Sequence, residues 1–358
     1  MSISRSQSVC RDIPERFRIS LGEGQTPLLR SRRIGPACGM SGLYFKLETV
    51  NPTGSYKDRF ASAAIADMLS RGKRRCVATS SGNTGSALAA YCAAANMQCD
   101  IFAVESAPND KLKQMAAYGA RIVKIRGFGI HPEITSEVFN WVREQGEHSD
   151  AAVQISAYLF SPVGMRGVQS ISVELIDQLP AGNRHIFVPA GGGGLALAVA
   201  RGFAEIPDET SPDKTAIHCV QPRGNDTIAS ALRAGKLEAQ TVNCTTQISG
   251  LQVPTVLDGN EVIRQCRASG GTGFLVSDQE VWEMQSRLAR EEGIFCEPAA
   301  AVSVAAAVTA VARKEIEPAE TICCLITGAG FKDQPSVDRM IGNEKFVVRD
   351  LSDLKRNV

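Results

Sequence analysis

The chain has no surplus of either charge: 39 Lys and Arg stand against 38 Asp and Glu, a formal net charge of +1. That removes any electrostatic drive toward nucleic acid or an anionic membrane surface. Aromatics are scarce, at 6%, and no Lys/Arg cluster is interleaved with them. Only four histidines occur (His131, His148, His185 and His218), and none has metal-ligand spacing to another, so no metal site is expected. Long apolar runs are missing too. The longest, Ala299 to Ala312, is too short and alanine-rich to span a bilayer and reads as a buried helix. The uncharged stretch from Cys76 to Cys99 is broken by Ser80-Ser81-Gly82-Asn83-Thr84-Gly85. Residues 1–17 carry Arg5, Arg11, Asp12 and Glu15 without an apolar run, unlike a signal peptide. No short repeat, low-complexity linker or Cys-x-x-Cys is present. The 11 cysteines are an odd number, which argues against a complete disulfide framework. Several sit in apolar segments, as free cysteines do in a reducing cytoplasm. A cytoplasmic protein without nucleic-acid or membrane partners is expected.

What is present is alternation of strand and helix along 358 residues, a length suited to about two domains. Strands are expected at 76–79, 100–104, 120–125, 185–189, 216–220 and 321–326. Helices are expected at 87–95, 109–118, 132–145 and 196–203. The order predicts an α/β protein of two domains, each an open, mostly parallel sheet covered by helices. Charge and polarity rise near 146–152, which places a domain edge there. The smaller domain is then 56–150, the larger one 1–55 with 151–345, and 346–358 a tail.

Four segments carry the chemistry. Leu43 to Arg59 reads as a strand, an Asn-Pro-Thr-Gly turn and a helix with Lys57 in its first turn. That end of a helix favours anions, so a lysine there is a poor choice unless its amine is neutral or covalently occupied. Taken alone, Lys57 also fits a solvated surface lysine. Ser80 to Gly85 follows a strand and opens a helix, where free amides and the dipole bind an anion, or where Ser, Asn and Thr simply cap the helix. Gly191-Gly192-Gly193-Gly194-Leu195 also joins a strand to a helix, and four glycines leave amides free to curl around a phosphate. It matches neither the dinucleotide fingerprint nor a Walker loop. Thr327-Gly328-Ala329-Gly330-Phe331-Lys332-Asp333 ends the 321–326 strand, where ligand crevices of parallel sheets form.

The ordered set, beginning with Asn51-Pro52-Thr53-Gly54-Ser55-Tyr56-Lys57-Asp58-Arg59, resembles pyridoxal-phosphate enzymes of the tryptophan-synthase-β fold type (fold type II). Within that group it is most similar to the threonine synthase family. The resemblance leaves out only the first ~20 and last ~15 residues. It implies pyridoxal 5'-phosphate held between the two domains, with Lys57 as its imine lysine and general base. Asn83 would contact the phenolic oxygen, Gly191 to Leu195 would cup the phosphate, and Thr327 would meet the ring nitrogen. Ser81, Gly82, Asn83 and Thr84 would grip the carboxylate of an amino-acid substrate, and a homodimer is implied. Glu297, before Pro298, reads first as structural.

Two departures bear on substrate. The phosphate cup lacks the asparagines of many threonine synthases and looks like that of serine and threonine dehydratases. The segment Ser161 to Ser170 lacks the family's Asn-Pro-x-Arg spacing, with Arg166 shifted. Arg166, Lys111 and Lys113 are the candidates for a substrate phosphate, the two lysines reading first as part of a solvated helix face. The reaction implied is O-phospho-L-homoserine and water to L-threonine and phosphate. Serine/threonine ammonia-lyase, phosphoserine β-replacement of the cysteate synthase kind, and a non-catalytic binding protein stay open.

Overall fold

The computed structural model describes residues 12–80, 82–205 and 214–342, with 346, 348, 350 and 351 of the tail. Ser81 and most of the expected 346–358 tail lie outside the described residues. Among the described residues, ten strands alternate with helices: β1 (Leu28–Arg30), β2 (Leu43–Leu47), β3 (Arg75–Thr79), β4 (Gln98–Val104), β5 (Arg121–Ile125), β6 (Ala151–Val153), β7 (Arg184–Pro189), β8 (Thr215–Pro222), β9 (Gly273–Val276) and β10 (Thr321–Ile326). They form a six-stranded sheet in the order β1-β2-β10-β7-β8-β9 and a four-stranded sheet in the order β5-β4-β3-β6. Every pairing is parallel except β1 with β2.

The larger sheet is closed at its centre by β10, the last of the described strands, between β2 and β7. Residues 322–326 of β10 are fully buried, as a parallel strand covered on both faces requires. The helix Pro298–Ala312 covers the same sheet. Proline at its first turn pre-sets the backbone, and its Ala/Val run is buried almost all round. The smaller sheet reaches past the edge expected at 150, because β6 pairs with β3 in the register Cys76 to Ala152. Three residues show too little alternation to announce a strand, so β6 escapes a reading of periodicity. The same holds for β1, also of three residues, and for β9, of four.

The Lys57–Ser70 helix joins the two halves. It packs against the helix Pro162–Val168, and two glycines allow the approach. A Cβ on Gly167 would lie 2.3 Å from the Arg59 carbonyl oxygen, and one on Gly164 would lie 2.6 Å from the Phe60 ring. Phe60, Ala78, Met165 and Ile186 belong to one continuous core shared by both sheets. The first turn of this helix is therefore held by both.

Candidate active site between the two sheets

The turn before Lys57 is built to hold its helix start. The Asp58 carboxylate accepts from both the Thr53 amide and hydroxyl, each at 3.0 Å, which closes Asn-Pro-Thr-Gly into shape. Gly54 takes φ +87°, a left-handed conformation that favours glycine. The turn then docks on the end of β10. Tyr56 N donates to the Thr327 carbonyl at 3.0 Å, and Ala329 N donates to Gly54 O at 2.9 Å. Thr327 is buried, one backbone hydrogen bond from the residue preceding the lysine.

The Lys57 amine donates to Ser156 Oγ at 2.8 Å and lies 4.4 Å from the centre of the Tyr56 ring. Burial pulls it down to about 7, against the opposing pull of the Glu297 and Asp258 carboxylates. A lysine amine near neutrality is a usable base and nucleophile at physiological pH. Ser156 is also 3.0 Å from the Thr84 hydroxyl, and its carbonyl is 3.1 Å from where a Cβ on Gly194 would stand. One serine thus touches the lysine, the asparagine loop and the glycine loop.

Asn83 begins the helix Asn83–Ala94, after Gly82. Its amide donates to Glu297 Oε1 at 2.9 Å. Glu297 in turn sits against Gly328, where a Cβ would be 2.3 Å from its carboxylate oxygen. Only glycine leaves room for that carboxyl group beside the Thr327 turn. Burial pushes the Glu297 carboxyl up to about 7, opposed chiefly by Lys332 and Lys111.

The glycine loop leads into the helix Gly194–Ala204, with Gly193 at φ +95° as its cap. Cβ atoms on Gly191, Gly192 and Gly193 would meet Val253, Leu257 and Val262 at 2.7–3.0 Å. The Leu195 side chain turns into the core. The Asp258 carboxylate lies beside the loop, already engaged by the amides of Tyr158 at 2.8 Å and Leu159 at 3.2 Å.

Beside Asn83 opens a cleft of about 780 Å³, lined by Gly82, Asn83, Lys111, Lys113 and Lys332 among others. Lys111, on the smaller sheet's side, reaches Ser249 and, at 3.2 Å, Asp333. Lys332, on the larger sheet's side, donates to Gln114 Oε1 at 2.8 Å. Cations from both halves cross the cleft in opposite directions. Lys113 pairs with Asp110 on the exposed rim. Arg166 pairs with Asp12 at 2.7 Å and is not among the cleft-lining residues.

Ser156 thus joins Lys57, Thr84 and the Gly194 turn, and Glu297 joins Asn83 to the turn after Thr327. Ser156, Asp258 and Lys332 carry no sequence expectation. Ser156 has one usable signal: it follows β6, and carboxyl ends of parallel strands bear sites. Glu297, expected as a helix-start residue, is also a wall of the site.

The perturbed Glu297 has a measurable consequence. Its folded value lies above the ordinary carboxylate value, so its stabilising share is whole below about pH 4.5 and is lost as pH rises through about 7. Glu297→Gln keeps an acceptor for Asn83 but cannot ionise. Urea denaturation of cofactor-free protein should show the variant gaining on wild type between pH 4.5 and 8, by about 3 kcal/mol at most. A constant difference across that range would remove the assignment.

Comparison with known proteins meets this geometry. A family described as "Pyridoxal-phosphate dependent enzyme" matches residues 19–328. Threonine synthase of Methanocaldococcus jannaschii is 31% identical over 347 residues, covering 94% of this chain and 82% of the relative. That of Bacillus sp. (strain ULM1) is 30% identical, covering 88% and 85%. Among solved structures, the processed form of threonine deaminase isoform 2 from Solanum lycopersicum has TM-score 0.73 at 20% identity, covering 94% of this chain and 91% of that one. Maize serine racemase has TM-score 0.71 at 22% identity, covering 93% and 91%. These structures share the two-sheet fold. A near-neutral lysine, an asparagine, amides at a helix start and a strand-end hydroxyl are donors that suit an aldehyde, a phenolic oxygen, a phosphate and a ring nitrogen. Matched over most of its length and furnished with that donor set, the chain belongs to the pyridoxal-phosphate dependent enzymes.

Proposed function

We propose that this chain is a threonine synthase, a lyase that turns O-phospho-L-homoserine and water into L-threonine and phosphate. The observation that carries the reading is the cleft beside Asn83, where Lys111 and Lys332 stand on opposite walls and would face an anionic substrate tail. The threonine synthase relatives, 27–31% identical over most of the chain, support it.

When bound, the cofactor supplies the electron sink that makes protons at the substrate's Cα and Cβ acidic. The amides of Gly191 to Leu195 would hold its phosphate, Asn83 its phenolic oxygen and Thr327 its ring nitrogen. A neutral hydroxyl there does not force the ring to stay protonated. Gly82, Asn83 and Thr84, with Ser81, hold the substrate carboxylate. The Lys57 amine takes the proton from Cα. A second proton leaves Cβ, and phosphate departs from Cγ with the bonding pair. Cγ then takes a proton, the oxygen of water bonds to Cβ as that water gives up one proton, the Lys57 amine returns a proton to Cα, and the departed phosphate takes the one that remains. Ser156 and Glu297 keep the Lys57 amine and Asn83 in place between these transfers. The enzyme works as a homodimer in the cytoplasm. No described helix is long and apolar enough to cross a membrane.

Arg166, paired with Asp12, leaves the phosphate to the two lysines. Removing one charged donor from an anion costs about 1.5–3 kcal/mol. Lys332→Gln and Lys111→Gln should each raise KM for phosphohomoserine about tenfold or more, with a smaller change in kcat. An unchanged KM would remove them from substrate recognition.

A second reading rests on the four glycines in place of asparagines: ammonia loss from free serine or threonine. Equimolar phosphate and threonine from phosphohomoserine supports the synthase. 2-Oxobutyrate from threonine, with no phosphate released from phosphohomoserine, replaces it with the ammonia-lyase.

A further inference from the structure

Three thiols meet in the smaller sheet, away from the cleft. Cys76 on β3 and Cys99 on β4 are register partners in adjacent parallel strands. Cys92 comes from the last turn of the helix Asn83–Ala94, which covers that face. All three are buried, and their sulfurs lie within 4.8 Å of one another. A triangle of that size places each sulfur about 2.8 Å or less from a common centre, against metal–thiolate bonds of about 2.3 Å. A contraction of half an ångström would let all three bind one ion. Two strands and a helix converge on the point, so the donors are held from three directions.

The donor set selects the ion. No fourth His, Cys, Asp or Glu joins the group among the described residues. Structural zinc takes four ligands in a tetrahedron, which this site does not offer. Sulfur alone, without oxygen or nitrogen, selects soft ions. We propose that Cys76, Cys92 and Cys99 form a binding site for one soft monovalent cation of the Cu(I) class, bound by three sulfurs.

Charge and access are compatible with that assignment. Binding forms three Cu–S bonds, displaces up to three thiol protons and changes no oxidation state. The excess negative charge lies across the sheet from two arginines. Arg75 and Arg121 both bond the buried Asp100 carboxylate, at 2.7 and 2.8 Å, two cations against one anion. Arg75 and Asp100 adjoin Cys76 and Cys99 in sequence, and successive strand residues point to opposite faces. The end of the helix and the turn after it, at Ala93, Ala94 and Asn96, are exposed and give an entry beside Cys92. Elsewhere among the described residues, Cys323 and Cys324 are buried and belong to no such group.

The test uses reduced holoenzyme under anaerobic conditions, titrated with Cu(I) buffered by bathocuproine disulfonate. One Cu(I) per chain should leave the chelator, the melting temperature should rise, and X-ray absorption should report three sulfurs at one distance. Cys76→Ala, Cys92→Ala and Cys99→Ala should each weaken uptake by more than the ~10–100-fold that follows loss of an outer partner of a ligand. Cys323→Ala should bind as wild type does. No withdrawal of copper, or uptake unchanged in the three variants, overturns the site. So does a Cys76–Cys99 disulfide found by mass spectrometry in the reduced holoenzyme. Should the variants fail to fold, the wild-type sulfur count decides: two sulfurs, or a mixed set of ligands, rejects it.

Discussion

Lys57→Ala is expected to lower turnover by about 10³-fold or more while leaving the fold intact. The size follows from two roles lost at once, the covalent hold on the cofactor and the base at Cα. The fold should survive because the lysine contributes little to packing. Its amine donates a hydrogen bond to Ser156, and its burial works against its own charge. Its neighbours Asp58 and Arg59 carry the structural contacts of this turn instead. The measurement is the visible absorption band of lysine-bound cofactor, taken alongside circular dichroism. The variant should lose the band and keep the helical signal. Lys57→Arg should behave the same way, since a guanidinium does not deprotonate near neutral pH. A variant that keeps both band and turnover would place the reacting amine elsewhere, with Lys332 the next candidate by position.

The lysine motif was legible in the sequence because its parts are contiguous: a strand, a turn that needs Gly54 and a helix start. β10 was read with the bounds it has, 321–326, because a six-residue apolar run between turns has few other readings. The partners that complete the site were harder to see. Ser156 lies after a three-residue strand that gives no periodic signal. Asp258 sits ~65 residues from the glycine loop it flanks, and only the closing of the larger sheet brings them together. Glu297 looked like a helix start because it is one, and nothing local says that its carboxyl group turns to Asn83, 214 residues away. Arg166 drew attention through a family arginine, yet its helix packs on the Lys57 helix and the guanidinium reaches Asp12. Side-chain direction at a helix crossing is a tertiary property, and a motif offset by a few residues does not encode it.

Beneath the site, Glu174→Ala should destabilise the protein by about 3–5 kcal/mol, a large part of a typical total of 5–15 kcal/mol. Four buried side chains form a closed set under the Lys57 turn. Arg59 donates to Glu48 at 2.7 and 2.8 Å and to Glu174 at 2.5 and 2.9 Å. Lys46 donates to Glu174 at 2.6 Å, to Thr26 O at 2.7 Å and to Gln178 at 2.8 Å. Two cations and two carboxylates cancel, and the three Lys46 donors are used. Glu174 also accepts from the Gln25 amide at 2.8 Å, which ties the strap before β1 to the cluster. Removing it strands two buried cations on one carboxylate, the costly way to break such a set. The arginine beside it holds the Glu174 carboxyl down at about 2. A depressed carboxyl stabilises above about pH 4.5 and loses that contribution as pH falls toward 2. Wild type should therefore lose stability over that window, whereas Glu174→Gln, already weakened, should lose less. Urea midpoints from pH 6 to 2.5 measure both effects. Parallel curves for wild type and Glu174→Gln would show that this carboxylate does not anchor the Lys57 turn.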